Sequence, residues 1–148
     1  MIKLVCVGKL KERHYSEACC EYLRRLRKYV KVEVVELREQ SDRNPEVAKK
    51  KEAALILKEL EGLSGWFTIA LDSSGLQQTS EEFAETLRKP KTAFIIGGPD
   101  GLADQILEKT QMTLSLSDMT LPHQLARVVL LEQIYRGHTI QKKERYHK

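Results

Sequence analysis

A three-layer α/β fold, with helices on both faces of a parallel-rich sheet, is the architecture this sequence predicts. Two observations carry it. Five short β-rich runs recur along the chain: Ile2 to Val7, Lys31 to Leu37, Trp66 to Leu71, Thr92 to Ile96 and Met112 to Leu116. Between them the apolar period lengthens to three and four residues, so strands alternate with helices throughout.

The elements follow in order. Ala18, Tyr22, Leu26 and Tyr29, flanked by Cys19 and Leu23, form one helical stripe. A second helix begins at Pro45 behind Asn44 as cap and ends at Gly62. Thr79 and Glu82 have capping-box spacing for a third, which Pro90 must end. A short fourth helix follows Asp100-Gly101, and a fifth starts at Pro122 and runs to Arg136, before Gly137. The polar stretch from Arg38 to Asn44 reads as a loop. In the fifth helix Val128, Val129, Leu130 and Leu131 are consecutive, more apolar surface than a one-sided helix needs. Two readings are open: a helix buried centrally in the monomer, or one whose second face meets a partner subunit.

A length of 148 residues fits one domain, taken as 1–148, with a core the chain can fill. No run of eighteen apolar residues is present, and the first strand is followed by Lys9, Lys11, Glu12 and Arg13 rather than a cleavage site. A soluble, cytoplasmic protein is expected. Cys6, Cys19 and Cys20 lack a C-x-x-C spacing and read as reduced thiols, and no metal is expected. The net charge of +4 is unevenly placed. Arg24, Arg25, Arg27, Lys28 and Lys31 crowd one stretch, and Lys142, Lys143, Arg145 and Lys148 crowd the C-terminus. Such clusters suit a polyanion or form solvated faces; charge alone leaves both open.

In open parallel sheets ligands bind beyond the carboxyl ends of the strands. Three such edges are unusual here. Leu71 leads into Asp72-Ser73-Ser74-Gly75, Ile96 into Gly97-Gly98-Pro99-Asp100-Gly101, and Leu116 into Ser117-Asp118-Met119-Thr120-Leu121-Pro122-His123. The glycine run permits close approach of a nucleoside to the backbone and leads toward a helix N-terminus, or it is a plain tight turn. It lacks the Lys-Ser/Thr of a P-loop and the spacing of a dinucleotide fingerprint, which counts against NTP hydrolysis and hydride transfer. The third stretch is longer than a strand-to-helix turn requires and offers backbone amides and carbonyls, although Pro122 and His123 also fit a plain first helical turn.

The segments IIGGPDGL (Ile95 to Leu102) and LSLSDMTLPHQLARVVLLEQIYR (Leu114 to Arg136), with the terminal Tyr146-His147, resemble the RlmH-type branch of the SPOUT methyltransferases. Gly8 after the opening strand and EYLRRL at Glu21 to Leu26 fit the same family, so the resemblance covers nearly the whole chain. It implies a mostly parallel five- or six-stranded sheet with a C-terminal trefoil knot, an exception to unknotted threading. It further implies a homodimer that uses S-adenosyl-L-methionine to methylate N3 of a pseudouridine in large-subunit ribosomal RNA, on the assembled ribosome. The donor pocket implied here includes Leu71 and Asp72, Gly97 and Gly98, and Leu116, Ser117, Asp118, Met119, Thr120, Leu121 and Pro122, mostly through the backbone.

Methyl transfer from a sulfonium needs in-line approach of the nitrogen, and the N3 proton must leave, so a base within hydrogen-bond reach helps. The candidates are His147 beside Tyr146 in the tail, and His123; the tail is favoured. The tail departs from its relatives at two positions: Lys148 stands where they usually carry arginine, losing the planar fork, and Arg145 where many have proline. Arg24, Arg25, Lys28 and His14 form a candidate RNA face. Arg127, Arg136 and Lys148 are further RNA candidates, with the first two equally open to structural or partner-chain roles.

Overall fold

In the computed structural model, which describes all of residues 1–148, five strands and five helices alternate without exception. The strands are β1 (Ile2–Val7), β2 (Val32–Leu37), β3 (Phe67–Leu76), β4 (Thr92–Ile96) and β5 (Met112–Leu114). The helices are α1 (Arg13–Leu26), α2 (Pro45–Glu61), α3 (Ser80–Thr86), α4 (Asp104–Lys109) and α5 (His123–Gln141). The sheet runs β2-β1-β4-β3-β5, and every neighbouring pair is parallel. Parallel strands present both faces to helices, and here alternate residues of one strand feed two cores. Leu4 and Cys6 face a cluster with Cys19 and Leu26 of α1, Phe83 of α3 and Leu130, Leu131 and Ile134 of α5. Val7, Ala70 and Ile95 face a smaller one with Ala53 and Ile56 of α2 and Ile106 of α4. The three layers are therefore α1/α3/α5, the sheet, and α2/α4.

Local side-chain caps account for two of the five helix starts. The Asn44 side chain accepts from the Glu46 N–H at 3.0 Å with Pro45 in the first turn, and Thr79 and Glu82 close a full capping box. The start of α1 has no cap of its own. The Gln124 Oε1 on α5 accepts instead from the N–H groups of Lys11 and Glu12, at 2.8 and 3.2 Å. Burial also fixes the thiol chemistry: Cys6 and Cys19 are buried, and burial pushes Cys6 up to about 12 and Cys19 to about 11, so both stay protonated at neutral pH.

Several boundaries differ from the sequence reading, and β5 stops at Leu114 rather than Leu116. Strand β3 does not stop at Leu71 but runs to Leu76, through a register shift against β5. The turn inside that shift is made by Asp72, whose Oδ1 accepts from the Ser74 N–H and hydroxyl at 2.9 and 2.7 Å. Helix α3 ends at Thr86, four residues ahead of Pro90, as Leu87 turns into the core. Helix α4 begins at Asp104 rather than at the glycine run, which closes on itself through the Gly101 N–H to Gly98 O bond of 3.0 Å. Helix α5 continues past Gly137 to Gln141. Gly137 is there for packing and not for termination: a Cβ would sit 2.6 Å from Leu87 Cδ1 and 3.3 Å from Ala84 Cα, both inside the α3 contact.

Substitution Gly137→Val is accordingly expected to destabilise the protein by about 1–3 kcal/mol through overpacking, despite replacing a poor helix former. Urea denaturation measures it; an unchanged midpoint would show that α3 yields freely.

Candidate active site

At the carboxyl ends of β3, β4 and β5 the three unusual edges come together around a cleft of about 580 Å³, within the range of small-ligand pockets. Leu71 and Asp72 line it from β3, Ile96 to Pro99 and Gly101 from the loop after β4, and Leu114 to Ser117 with Met119 to Pro122 from the loop before α5. His123 and Ala126, on the first turn of α5, close one wall. The walls are apolar where Leu71, Ile96, Leu114, Leu116 and Leu121 meet, and backbone is exposed where side chains are small.

Each loop is held by its own hydrogen bonds. The Ser115 hydroxyl donates to Ser117 O at 3.0 Å, and the Ser117 hydroxyl accepts from the Met119 N–H at 3.0 Å. Two ties join this loop to β3: the Ser115 N–H donates to Leu76 O at 2.9 Å, and Gln77 Nε2 donates to Asp118. Gly97 permits the tight return of the glycine loop, because a Cβ there would lie 2.7 Å from the Gly101 carbonyl carbon. Beneath the loop sits Glu52 of α2, only 4% exposed, whose Oε1 accepts from the Gln40 N–H at 3.0 Å. A Cβ on Gly98 would approach both Glu52 oxygens to 3.2 Å. Desolvation, reinforced by Glu39 and Asp100, raises the Glu52 pKa, while the Gln40 bond opposes it. His123 is shifted the other way: burial lowers its pKa, with Arg127 and Lys11 adding to that and Glu39 opposing it, and its Nε2 is buried without a partner.

The predicted site residues therefore divide. Leu71, Asp72, Gly97, Gly98, Leu116, Ser117, Met119, Thr120, Leu121, Pro122 and His123 all line the cleft. Asp118 lies in the same loop but is exposed and engaged with Gln77, outside the lining. Tyr146 and His147 dock elsewhere on their own chain. The Tyr146 hydroxyl donates to Glu132 at 3.1 Å and its ring meets Tyr135 edge-on at 4.7 Å, beneath the Arg136 guanidinium. His147 bridges Arg136, at 3.3 Å, and Glu81, at 2.8 Å. Glu132 is nine residues along α5 from His123, so this dock is on the order of 13 Å from the cleft wall.

Arg127 corrects an expectation. It is not an RNA-facing cation but 2% exposed, donating to Glu36 at 2.6 Å and to Gly8 O at 2.9 Å. Of the roles the sequence left open for it, the structural one holds. Arg136 is paired with Glu132 at 2.6 Å. Arg24 and Arg25 share Glu21, Lys28 reaches Glu144, and exposed His14 lies with its ring tilted against Tyr15 on α1. Lys148 is exposed at the end of the chain. Residues missed as site residues by sequence reasoning are Ser73, Ile96, Pro99, Gly101, Leu114, Ser115 and Ala126 on the lining, and Glu52 behind it. Ala126 had a usable signal, three residues beyond His123 and so on the same helix face; Glu52 had none, lying on a charged helix.

Open α/β sheets with a nucleoside-sized cleft at their carboxyl ends form a broad class, and comparison with known proteins narrows it. The family model described as "Predicted SPOUT methyltransferase" matches residues 1–147. A protein of Caldicellulosiruptor saccharolyticus named "Ribosomal RNA large subunit methyltransferase H" is 44% identical over 156 residues, with all of both chains covered. One of the same name from Bacillus cytotoxicus is 44% identical over 160 residues, covering 99% of each. The solved structure of "a probable methylase family protein" from Haemophilus influenzae Rd KW20 superposes with a TM-score of 0.61 at 15% identity, over 99% of this chain and 70% of that one, a likeness of fold. The chain belongs to the SPOUT methyltransferase family. It is an enzyme of methyl transfer, and its reaction requires a methyl donor.

For Glu52 a raised folded pKa has a definite sign. The neutral acid is favoured by the fold, so the stability it contributes is present below its ordinary value of 4.5 and is lost as pH climbs through the raised value. Glu52→Gln, which keeps an acceptor for Gln40, is expected to unfold at higher denaturant than the parent at pH 7 and to lose that advantage near pH 4. An advantage independent of pH would refute the assignment.

Proposed function

We propose that this enzyme methylates large-subunit ribosomal RNA at N3 of a pseudouridine, with S-adenosylmethionine held in the cleft beyond β3, β4 and β5. The observation that carries this reading is full-length similarity at 44% identity to proteins named for ribosomal RNA large-subunit methylation, in a chain that places all three of its unusual strand ends on one cleft.

The cleft suits such a donor. Its apolar walls fit a flat adenine ring, the exposed backbone after Ile96 and around Leu116 to Leu121 offers donors and acceptors to the base edge, and Asp72 puts a carboxylate on the rim for a cationic ligand. When bound, S-adenosylmethionine supplies an electrophilic methyl group on a sulfonium. The side chains then have to exclude water, align the RNA nitrogen and receive its proton. His123 lines the cleft, and burial keeps it neutral at pH 7, the form that accepts a proton. Exposed Met119 and Leu76 leave apolar surface near the mouth for a base or a second chain to cover.

The working form in this reading is a homodimer. Leu125, Val129, Glu132 and Arg136 form a half-buried stripe along α5 at spacings of three and four, leading to the docked tail. A second copy on that stripe brings Tyr146 and His147 toward the partner's cleft, which explains why the favoured base lies outside the cleft of its own chain. The trefoil knot belongs to the same reading, with the loops around the cleft as its crossing. Ribosomal RNA as substrate places the protein in the cytoplasm.

Ribosomes from cells lacking the modification, incubated with the protein and methyl-labelled S-adenosylmethionine, are expected to carry label on N3 of one large-subunit pseudouridine, located by nuclease digestion and mass spectrometry. Donor binding without label on ribosomal RNA would refute the substrate. For the shared site, a Gly97→Leu chain with its cleft blocked is mixed with a chain truncated after Glu144. Heterodimers are expected to recover activity that neither homodimer has, because one intact cleft then meets one intact tail; no recovery would place the tail in cis or out of the reaction.

A further inference from the structure

The end of the sheet where the strands begin lies roughly 17 Å from the cleft, the length of a six-residue strand, and has a different electrostatic character. Backbone bonds put Lys31 immediately ahead of β2, through the Ile2 N–H to Lys31 O at 2.9 Å, and Lys91 ahead of β4, through the Phe67 N–H to Lys91 O at 2.9 Å. The two residues are two strand spacings apart, roughly 10 Å. Between them and the end of α5 opens a second cavity of about 360 Å³, lined by Val30, Arg88, Lys89, His138 and Gln141 among others. Lys142 caps α5 at its edge, its N–H donating to His138 O at 3.1 Å, and Tyr29, beside Lys28, stacks on His138.

The charge count is one-sided. Arg27, Lys28, Lys31, Arg88, Lys89, Lys91, Lys142 and Lys143 are all exposed here, against Glu85 and Glu144, which are already paired with Arg88 and Lys28, while Glu33 near the start of β2 is offset by Lys3. The whole chain carries only +4, so the excess of cations at this edge exceeds that of the entire molecule, and the remaining surface is net acidic. Lys31, Lys89, Lys91 and Lys142 make no salt bridge at all. Lys89 and Lys91 are nonetheless steered, with their ammonium groups 5.5 Å from the Phe67 ring and 6.0 Å from the Trp66 ring. Cations with no intramolecular partner and restricted side chains are suited to phosphate at reduced ordering cost.

We propose that this strand-starting edge is a second RNA-docking surface, which binds the phosphate backbone of a structured part of the substrate at a distance from the methylated nucleotide. The inference rests on the reading of the enzyme as RNA-directed. The surface contributes affinity and orientation and no sequence information, since phosphate contacts position and do not specify. It therefore acts on KM and leaves kcat as it is.

The test compares a Lys31→Ala, Lys89→Ala, Lys91→Ala, Lys142→Ala quadruple variant with a charge-matched control in the loop before α2 and its first turns, Arg38→Ala, Arg43→Ala, Lys50→Ala, Lys51→Ala. The probe is an RNA duplex of unrelated sequence, titrated across salt concentrations, with S-adenosylmethionine binding as the check on folding. The edge variant is expected to bind the duplex about ten-fold or more weakly, with a log–log salt slope shallower by roughly 3 to 4. The control is expected to stay near the parent, and lysine-to-arginine changes at the four edge positions to retain binding. On ribosomes the edge variant should show a raised KM at parental kcat. Equal losses in both quadruple variants would reduce the effect to net charge and overturn the proposal, as would no loss in the edge variant. Lost binding to phosphatidylserine vesicles with unchanged RNA binding would assign the edge to a membrane and also overturn it. If the parent labels no ribosomal RNA while the edge variant still loses duplex affinity, the docking surface stands and the ribosomal substrate falls.

Discussion

The buried guanidinium of Arg127 sets the position of the last helix, and the cleft depends on that position. Its two bonds reach the far end of the sheet, to Glu36 on β2 and to the carbonyl of Gly8 after β1, across 91 and 119 residues of sequence. The helix it belongs to begins at the opposite half, where His123 and Ala126 wall the space beyond β3, β4 and β5. One side chain thus pins α5 diagonally across the strand ends. The guanidinium is buried while the Glu36 carboxylate is part-exposed; desolvation of the arginine offsets much of the attraction, but misplacing α5 would leave that charge buried and unpaired. Here that selectivity falls on the element that shapes the cleft.

The same economy runs through the cleft itself. Its shape is made from backbone and small residues, and the polar side chains of the loops are spent on one another: Ser115 and Ser117 within the third loop, Asp72 with Ser74, Asp118 with Gln77. What faces the ligand is therefore a rigid pattern of amides, carbonyls and apolar surface, with few charges that would need resolvation when the site is empty. The cations gather instead at the other end of the strands. The largely apolar cleft and the basic edge are thus kept about a strand length apart on the one sheet.

Much of this was legible in the sequence, and the parts that were not share a cause. The strand runs, the Asn44 and Thr79 caps and the three strand-end loops are written in local residue types, and so could be read locally. Gly137 was misread as a terminator because a glycine near a helix end usually is one; its role is set by Leu87 and Ala84, some fifty residues away. For Arg127 the sequence left RNA, partner-chain and structural roles open, because the partners that decide among them lie on β2 and after β1. The extension of β3 to Leu76 depends on pairing with β5 and carries no mark in Asp72-Ser73-Ser74-Gly75 beyond a turn. Glu52, a carboxyl buried beneath a glycine loop, sits among Lys49, Lys50 and Lys51, where the sequence shows only a charged helix. Local chemistry located the site, and long-range packing decided which nearby residues enter it.

The borrowed cap on α1 has a consequence for how the chain comes into being. The two residues that lead into that helix, Lys11 and Glu12, donate their N–H groups to Gln124, 113 and 112 residues later. During synthesis the contact that ties the approach to α1 to the start of α5 forms only once nearly the whole chain has left the exit tunnel. Contacts of such sequence separation close slowly, because the intervening loop must first be ordered. The start of the polypeptide is thus finished by its end, and the cleft wall and the first helix are completed by the same late event.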